Sequence, residues 1–421
     1  MMKLIREEYI LLLLAGVVLV LPFAHIKAVM FGVPIYVPEW LVLIAFVLKC
    51  RQYQRGTTDL RKAHTVIIAG LMLFLGGALL SSVTHPLTLT GLGLLKSWFF
   101  FPFLFGWLAW QELTSVRKRE VLLFSWWCML GLVALRSLFL WISDQMTYDG
   151  RLAGDYASPN FLAALLSPAV LISLAAWYEL KRRKATVWVA TIPLVVLILC
   201  VMVLVLTRSY GSWGALFFAV LTFAILYLRR VSKPLMMVII MSSLALVVSF
   251  FWFDFGSEKW QSIVTHDPRS SWSSRLMIWQ TALLAAKEHP LLGIGVGRFQ
   301  EVYLSYQSQF PPYLEWAVPE PHNFFLAVFL STGMMGLVGM LLLLGRIALF
   351  FWRSFPGEND MAVVHLSLIS SLWALFLFSG ILDTPYFKTD LAYSFFLLLA
   401  LTLSLQTKSR SGWRAAERSH S

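Results

Sequence analysis

The stretch T-V-W-V-A-T-I-P-L-V-V-L-I-L-C-V-M-V-L-V-L, residues 186–206, carries no charged side chain. As a helix it rises ~1.5 Å per residue, enough to cross the hydrocarbon of a bilayer, roughly 30 Å thick. K-R-R-K at 181–184 precedes it and T-R-S-Y-G at 207–211 follows. Working outward, apolar runs of the same kind recur over almost the whole chain. The composition is 59% hydrophobic and 13% charged, whereas soluble domains are about a quarter charged. The pattern predicts an all-α polytopic membrane protein of about twelve transmembrane helices. The spans are expected near 8–24, 35–50, 64–81, 92–111, 120–142, 158–179, 186–206, 211–228, 235–253, 322–351, 361–381 and 390–406. The first run, Tyr9 to Phe23, follows Lys3 and Arg6 as a signal peptide would. No small-residue cleavage site follows it, so a retained first helix is expected. Residues 1–421 read as one integral membrane domain, with a large extracytoplasmic loop at 255–321 and a basic cytoplasmic tail at 407–421.

The net charge of +12 raises the question of nucleic acid, and its distribution answers it. Of the 34 Lys and Arg, 23 fall in the termini and in alternate connections, ten fall on the other side, and Arg136 lies inside a span. That asymmetry is the positive-inside signal. It puts both termini in the cytoplasm and the 255–321 loop outside, and no nucleic-acid partner is expected. The basic tail has the same topological reading, with anionic membrane lipid as a second one. The chain shows no internal repeat of the kind inverted-repeat transporters carry.

Several polar groups from distant parts of the chain are then predicted to share the outer face. Arg151, Asp155 and Ser158–Asn160 precede the sixth span, Arg208 sits in the turn after the seventh, and Asp383 and Lys388 sit in the last outer turn. Charges beside a bilayer pair with one another or mark a site. Each has a plainer reading as well. Arg208 can snorkel to headgroups, Arg151 and Asp155 can pair, Asp383 can cap a turn, and Arg136 can pack or snorkel.

The long loop has structure of its own. Pro268 precedes a predicted helix from about 271 to 288, which must stop before Pro290. Trp272, Leu276, Trp279 and Leu283 fall on one stripe of it, which predicts a surface helix packed on the membrane domain through that stripe. Arg275 lies at the edge of the stripe, where a guanidinium can grip phosphate through two parallel hydrogen bonds. Gly293, Gly295 and Gly297 follow without a preceding strand or a suitable acidic partner, so a dinucleotide site is not expected. A turn with close backbone approach is. His322 and Asn323 come after Pro319 and Pro321, at the predicted N-terminus of the tenth span. Free N–H groups and the helix dipole there favour an anion. A neutral imidazole in that place can take a proton from a sugar hydroxyl. A cap or a headgroup contact is the alternative. No acidic motif or His/Asp/Glu cluster with metal-ligand spacing occurs on the outer side, so no metal or other cofactor is expected.

Taken together these residues resemble bacterial O-antigen ligases and the related O-antigen polymerases, over roughly 151–401. The matching elements are Arg151 to Phe161 with its P-N, the T-R-S-Y-G turn, the R-x-x-x-W of Arg275 to Trp279, the H-P-L-L-G-I-G of His289 to Gly295, and the H-N-x-x-L of His322 to Leu326. The resemblance implies an inverting, metal-independent glycosyltransferase of the bacterial inner membrane. Its donor would be an undecaprenyl-diphosphate-linked glycan and its acceptor a glycan or glycolipid hydroxyl such as lipid A-core. It also implies His322 as the catalytic residue and Arg275 and Arg208 as diphosphate ligands. Asn323, Asn160, Trp279 and Arg151 form a second tier of substrate-binding candidates. Family members often read S-R-G in the turn, whereas here the arginine of R-S-Y-G is shifted by one residue. Polymerase and protein O-oligosaccharyltransferase activities share these features. A lipid-linked oligosaccharide flippase, the non-enzymatic rival, should expose charge to both faces rather than cluster it on one.

Overall fold

The computed structural model describes residues 2–23, 27–30, 33–54, 65–85, 89–228, scattered positions between 233 and 265, 270–309, 318–354 and 360–419. The protein is an all-α polytopic membrane protein. In chain order its helices are α1 (Met2–Val20), α2 (Val37–Gln54), α3 (Thr65–Val83), α4 (Leu89–Leu95), α5 (Phe101–Glu112), α6 (Val116–Ile142), α7 (Pro159–Arg182), α8 (Val187–Thr207), α9 (Tyr210–Phe223), α10 (Ser271–Glu288), α11 (Phe299–Tyr306), α12 (Phe324–Ser354), α13 (Asp360–Leu382) and α14 (Thr389–Ser419). A wide π turn, Lys96–Phe100, joins α4 to α5. Among the described residues, nine helices are long and apolar enough to cross a membrane. The spans expected at 8–24 and 35–50 coincide with α1 and α2, and the one expected at 235–253 lies mostly outside the described residues. A short antiparallel hairpin, Lys27–Met30 against Val33–Tyr36, was not predicted. The helix α14 also runs on to Ser419, through the stretch expected to be a tail.

Helix starts follow local chemistry. Ser158 accepts a hydrogen bond from the Asn160 N–H at 3.2 Å and Pro159 takes the first helical position, where its missing N–H costs nothing. Serine 270 caps α10 in the same manner, accepting from the Ser273 N–H at 3.2 Å.

The structure departs from the sequence reading on α10. Its packed face is Ser274, Met277, Ile278, Thr281, Ala282 and Ala285. Trp272, Leu276 and Leu283 of the expected stripe are exposed instead. The small residues let α10 lie close to α12 and α11, in a separate apolar cluster with Ile294, Phe299, Tyr303, Val318 and Leu330. Bulky residues are left to the outside, which at a membrane surface carries little penalty.

The helix α12 is broken near its first third. Gly333 adopts φ 66°, ψ −173°, a region that only glycine enters freely. The backbone groups released by the break are taken up by the loop after α10. The Ile294 N–H donates to Leu330 O at 2.7 Å and the Met334 N–H donates to Leu291 O at 3.1 Å. The approach is tight on both sides, since a Cβ on Gly293 would lie 2.3 Å from Leu330 O and one on Gly333 would lie 2.1 Å from Leu291 O. The glycine run thus serves close approach to a neighbouring helix. Beyond the break, α12 packs on α3 through small residues, with a Cβ on Gly339 only 2.5 Å from Gly70 O.

Gly333→Ala is therefore expected to destabilise the protein by on the order of 1–3 kcal/mol from backbone strain alone. The comparison is Gly345→Ala in the same helix, where an added Cβ meets nothing within 4 Å. Thermal unfolding in detergent should show a lowered transition for the first and none for the second.

Candidate functional site

The break in α12 isolates a short first segment that begins at Phe324, and the candidate site is built around its start. Asn323 caps it, accepting from the Leu326 N–H at 3.0 Å through its side-chain oxygen. Its amide NH2 donates to Ile381 O at 3.0 Å. Both ends of the Asn323 side chain are thus occupied in tying α12 to α13. His322 stands just before the cap with φ 48°, a left-handed conformation uncommon for a side chain of its size.

The imidazole Nδ1 of His322 lies 3.2 Å from Asp383 Oδ1. A carboxylate only accepts, so Nδ1 carries the hydrogen and a neutral ring keeps its lone pair on Nε2. Asp383 also accepts from the Thr384 N–H at 2.9 Å, so the turn role expected of it is combined with a second one. Burial alone would push the Asp383 carboxyl up. The His322 bond and charge, the Arg275 charge and the Thr384 N–H outweigh it and hold the group below the ordinary carboxylate range.

Arg275 reaches this pair from α10. Its Nε is buried without a hydrogen-bond partner among the described residues, an arrangement that costs stability in the absence of a ligand. One turn on, the Trp279 indole N–H donates to the His322 backbone oxygen at 3.3 Å. Trp272 meets the Trp279 ring edge-on at 5.9 Å between centroids. Arg275, Trp279, His322 and Asp383 therefore converge, although they are drawn from three separate stretches of chain.

The remaining candidates lie around that centre. Arg208 ends α8 in a left-handed conformation and is exposed. Its turn rests against the end of α13, where a Cβ on Gly211 would lie 3.5 Å from Leu382 Cβ. Arg151 pairs with Asp149 at 2.6 Å, not with Asp155. The reason is local: Thr147 and Arg151 close a small loop through the Thr147 N–H to Arg151 O bond at 2.9 Å, which folds the arginine back on itself. Asp155 pairs instead with Arg136 at 3.1 Å, so Arg136 is not a lone packing or snorkelling residue. Asn160 lies in the first turn of α7, next to Phe161, whose ring is 4.6 Å from the Lys388 ammonium. Arg298 of the long loop pairs with Glu301 at 3.2 Å.

Sequence reasoning left out Glu320 and Thr384 and gave Lys388 no partner. Glu320 is buried, lies 2.9 Å from Lys388 Nζ and accepts from the Thr384 hydroxyl. Lys388 was noted only as an outer charge. The single available signal was an acidic residue inside P-E-P-H-N, and nothing in the spacing links it to a turn more than 60 positions away. Among the described residues no group of three or more His, Cys, Asp or Glu is arranged to hold a metal ion.

Comparison with known proteins adds one match. The family profile described as O-antigen ligase matches residues 195–341. The matched segment contains Arg208, Arg275, Trp279, His322 and Asn323, while Arg151, Asn160, Asp383 and Lys388 lie outside it. No curated protein matches the chain closely enough to count as a relative.

The depressed Asp383 carboxyl has a definite consequence for stability. A group whose folded pKa is lowered contributes stability above its unfolded value of about 3.9, and that contribution is lost as pH falls through the folded value. Asp383→Asn should remove this part of the pH dependence, seen as a flatter unfolding-temperature profile in detergent between neutral and strongly acidic pH.

Proposed function

The chain carries an O-antigen ligase family domain over residues 195–341, and from that premise we propose that it moves a glycan from a polyprenyl-diphosphate carrier to an acceptor hydroxyl, with inversion and without a metal. The family match supports a glycosyltransferase-like activity in O-antigen assembly. The observation that carries the finer reading is the His322 Nδ1–Asp383 contact at 3.2 Å beside Arg275. It pairs an oriented base with a cation whose buried Nε has no partner.

In this reading the acceptor O–H gives its proton to His322 Nε2. The acceptor oxygen bonds to the anomeric carbon on the face opposite the carrier. The anomeric C–O bond to phosphate breaks, and its electron pair goes to the departing diphosphate. Arg275 takes that charge through its guanidinium, with Arg208 at the facing turn. Asp383 then stabilises the imidazolium, as a carboxylate does for an oriented histidine. A general base of this kind contributes about 10²- to 10⁴-fold. The rest of the acceleration comes from holding two membrane-tethered substrates in line. Trp279 and Asn323 act through the backbone and the cap that fix His322, while Asn160 and Arg151 stand at the rim where the saccharide extends. The site faces outward from the bacterial inner membrane, with both termini in the cytoplasm. The carrier would be undecaprenyl diphosphate, and the acceptor lipid A-core or another surface glycan.

Transfer by purified protein from lipid-linked donor to acceptor tests this. His322→Ala should lower kcat by about 10²- to 10⁴-fold, and Arg275→Ala should lower kcat/KM with a weaker hold on the donor. If both variants transfer glycan at the wild-type rate, the mechanism is wrong.

A further inference from the structure

We propose that Glu320, Thr384 and Lys388 form a positioning network that sets the His322–Asp383 pair for proton transfer, a role that rests on the catalytic reading of His322 above. Two short segments carry the pair, residues 320–323 and 381–384. Four side-chain contacts brace one to the other or to the residues that follow. They are His322 to Asp383 at 3.2 Å, the Asn323 amide to Ile381 O at 3.0 Å, the Thr384 hydroxyl to Glu320, and Lys388 Nζ to Glu320 Oε1 at 2.9 Å. Glu320 stands two residues before His322 and Thr384 one residue after Asp383. A shift of either segment therefore moves both members of the catalytic pair.

Lys388 extends the brace to two further elements. Its ammonium lies 4.6 Å from the Phe161 ring centroid and 5.8 Å from that of Trp98, distances at which a cation is held by an aromatic face. The same turn is pinned by the Tyr386 hydroxyl, which donates to Trp98 O at 2.6 Å. Lys388 thus ties the start of α12 and the α13–α14 turn to the start of α7 and to the π turn before α5.

A network of this kind is not the cheapest way to hold helices together. Burying an ion pair costs several kcal/mol of desolvation, and apolar replacements of similar volume are often neutral or stabilising. Burial does push the Glu320 carboxyl up, against the opposing pull of Lys388, Thr384 and His322. Apolar packing alone, however, would not fix the rotation of two turns to within the fraction of an ångström that proton transfer needs. Directional contacts do, and His322 needs them because its own backbone sits in an uncommon conformation. Asp383 and Glu320 both interact with His322, while Arg275 acts on Asp383 and Lys388 on Glu320.

The test uses full-length protein in nanodiscs with lipid-linked donor and acceptor. Lys388→Met, Glu320→Gln and Thr384→Val should each lower kcat by about 10- to 100-fold, the scale expected of a small misplacement of catalytic groups. KM for both substrates should stay within about two-fold, since no substrate contact is removed. Thr384→Ser, which keeps the hydroxyl, should recover most of the loss, and the double variant Glu320→Gln/Lys388→Met should be no worse than the poorer single one. Wild-type kcat in the three variants, a loss carried by KM, or failure of Thr384→Ser to do better than Thr384→Val would each overturn the proposal. His322→Ala in the same assay separates the two readings. If that variant is impaired while the network variants are not, only the network falls. An active His322→Ala brings down the function reading with it.

Discussion

A helix broken inside a membrane protein must find partners for the backbone groups it releases, and at Gly333 those partners come from the loop after α10. In hydrocarbon an unsatisfied N–H or C=O costs several kcal/mol, so the loop and the break require each other. The consequence reaches the site. The loop follows α10, which carries Arg275 and Trp279, and the first segment of α12 begins at Phe324, two residues after His322. Two backbone hydrogen bonds and two glycines therefore fix an arginine from one element against a histidine from another. A side chain on either glycine would clash with a backbone oxygen of the other element, so the two could not keep this approach.

Electrostatics complete what the backbone begins. The candidate site concentrates ionisable groups where the dielectric is low, and interactions there are strong in both directions. Asp383 is held ionised by His322, Arg275 and its own turn. Burial pushes the Glu320 carboxyl up, and Lys388 and Thr384 pull only partly against it. Arg275 is left incomplete, since its buried Nε has no hydrogen-bond partner among the described residues. A buried cation left short of a hydrogen bond favours an anion as its partner. This is also the arrangement in which a neutral histidine keeps its lone pair directed away from the carboxylate.

The sequence carried the architecture because membrane spans are written locally. Apolar length and the asymmetry of Lys and Arg need no knowledge of neighbours, and α3 to α9, α12 and α13 lie where the runs predicted. Local chemistry also pointed to His322, Arg275 and Trp279, which the fold brings together, since prolines, a helix start and a helical register are all readable in one stretch. What was not legible is set across the fold. The exposed and packed faces of α10 were exchanged, because tryptophan and leucine beside a bilayer need not point inward and the alanines and serines that do pack give weak periodicity. The expected Arg151–Asp155 pair was wrong for a related reason, and Arg136 had been given no partner at all. Spacing places Arg151 near Asp155 as readily as near Asp149, and only the closed turn at 147–151 decides between them.

The same distinction applies to the family match. The matched segment, 195–341, supplies the arginines and the histidine. The carboxylate bonded to His322 and the lysine paired with Glu320 come from 383–388, beyond its end. An imidazole without Asp383 has no fixed tautomer, and a proton taken at Nε2 would find no anion to stabilise it. Arg208 is a different case, because its turn lies inside the matched segment while the nearby Gly211 comes close to Leu382, the residue before Asp383. The α13–α14 turn thus holds the partner of His322 and starts beside the Arg208 turn. Changes within it should alter catalysis more than its length and its distance from the matched motifs suggest.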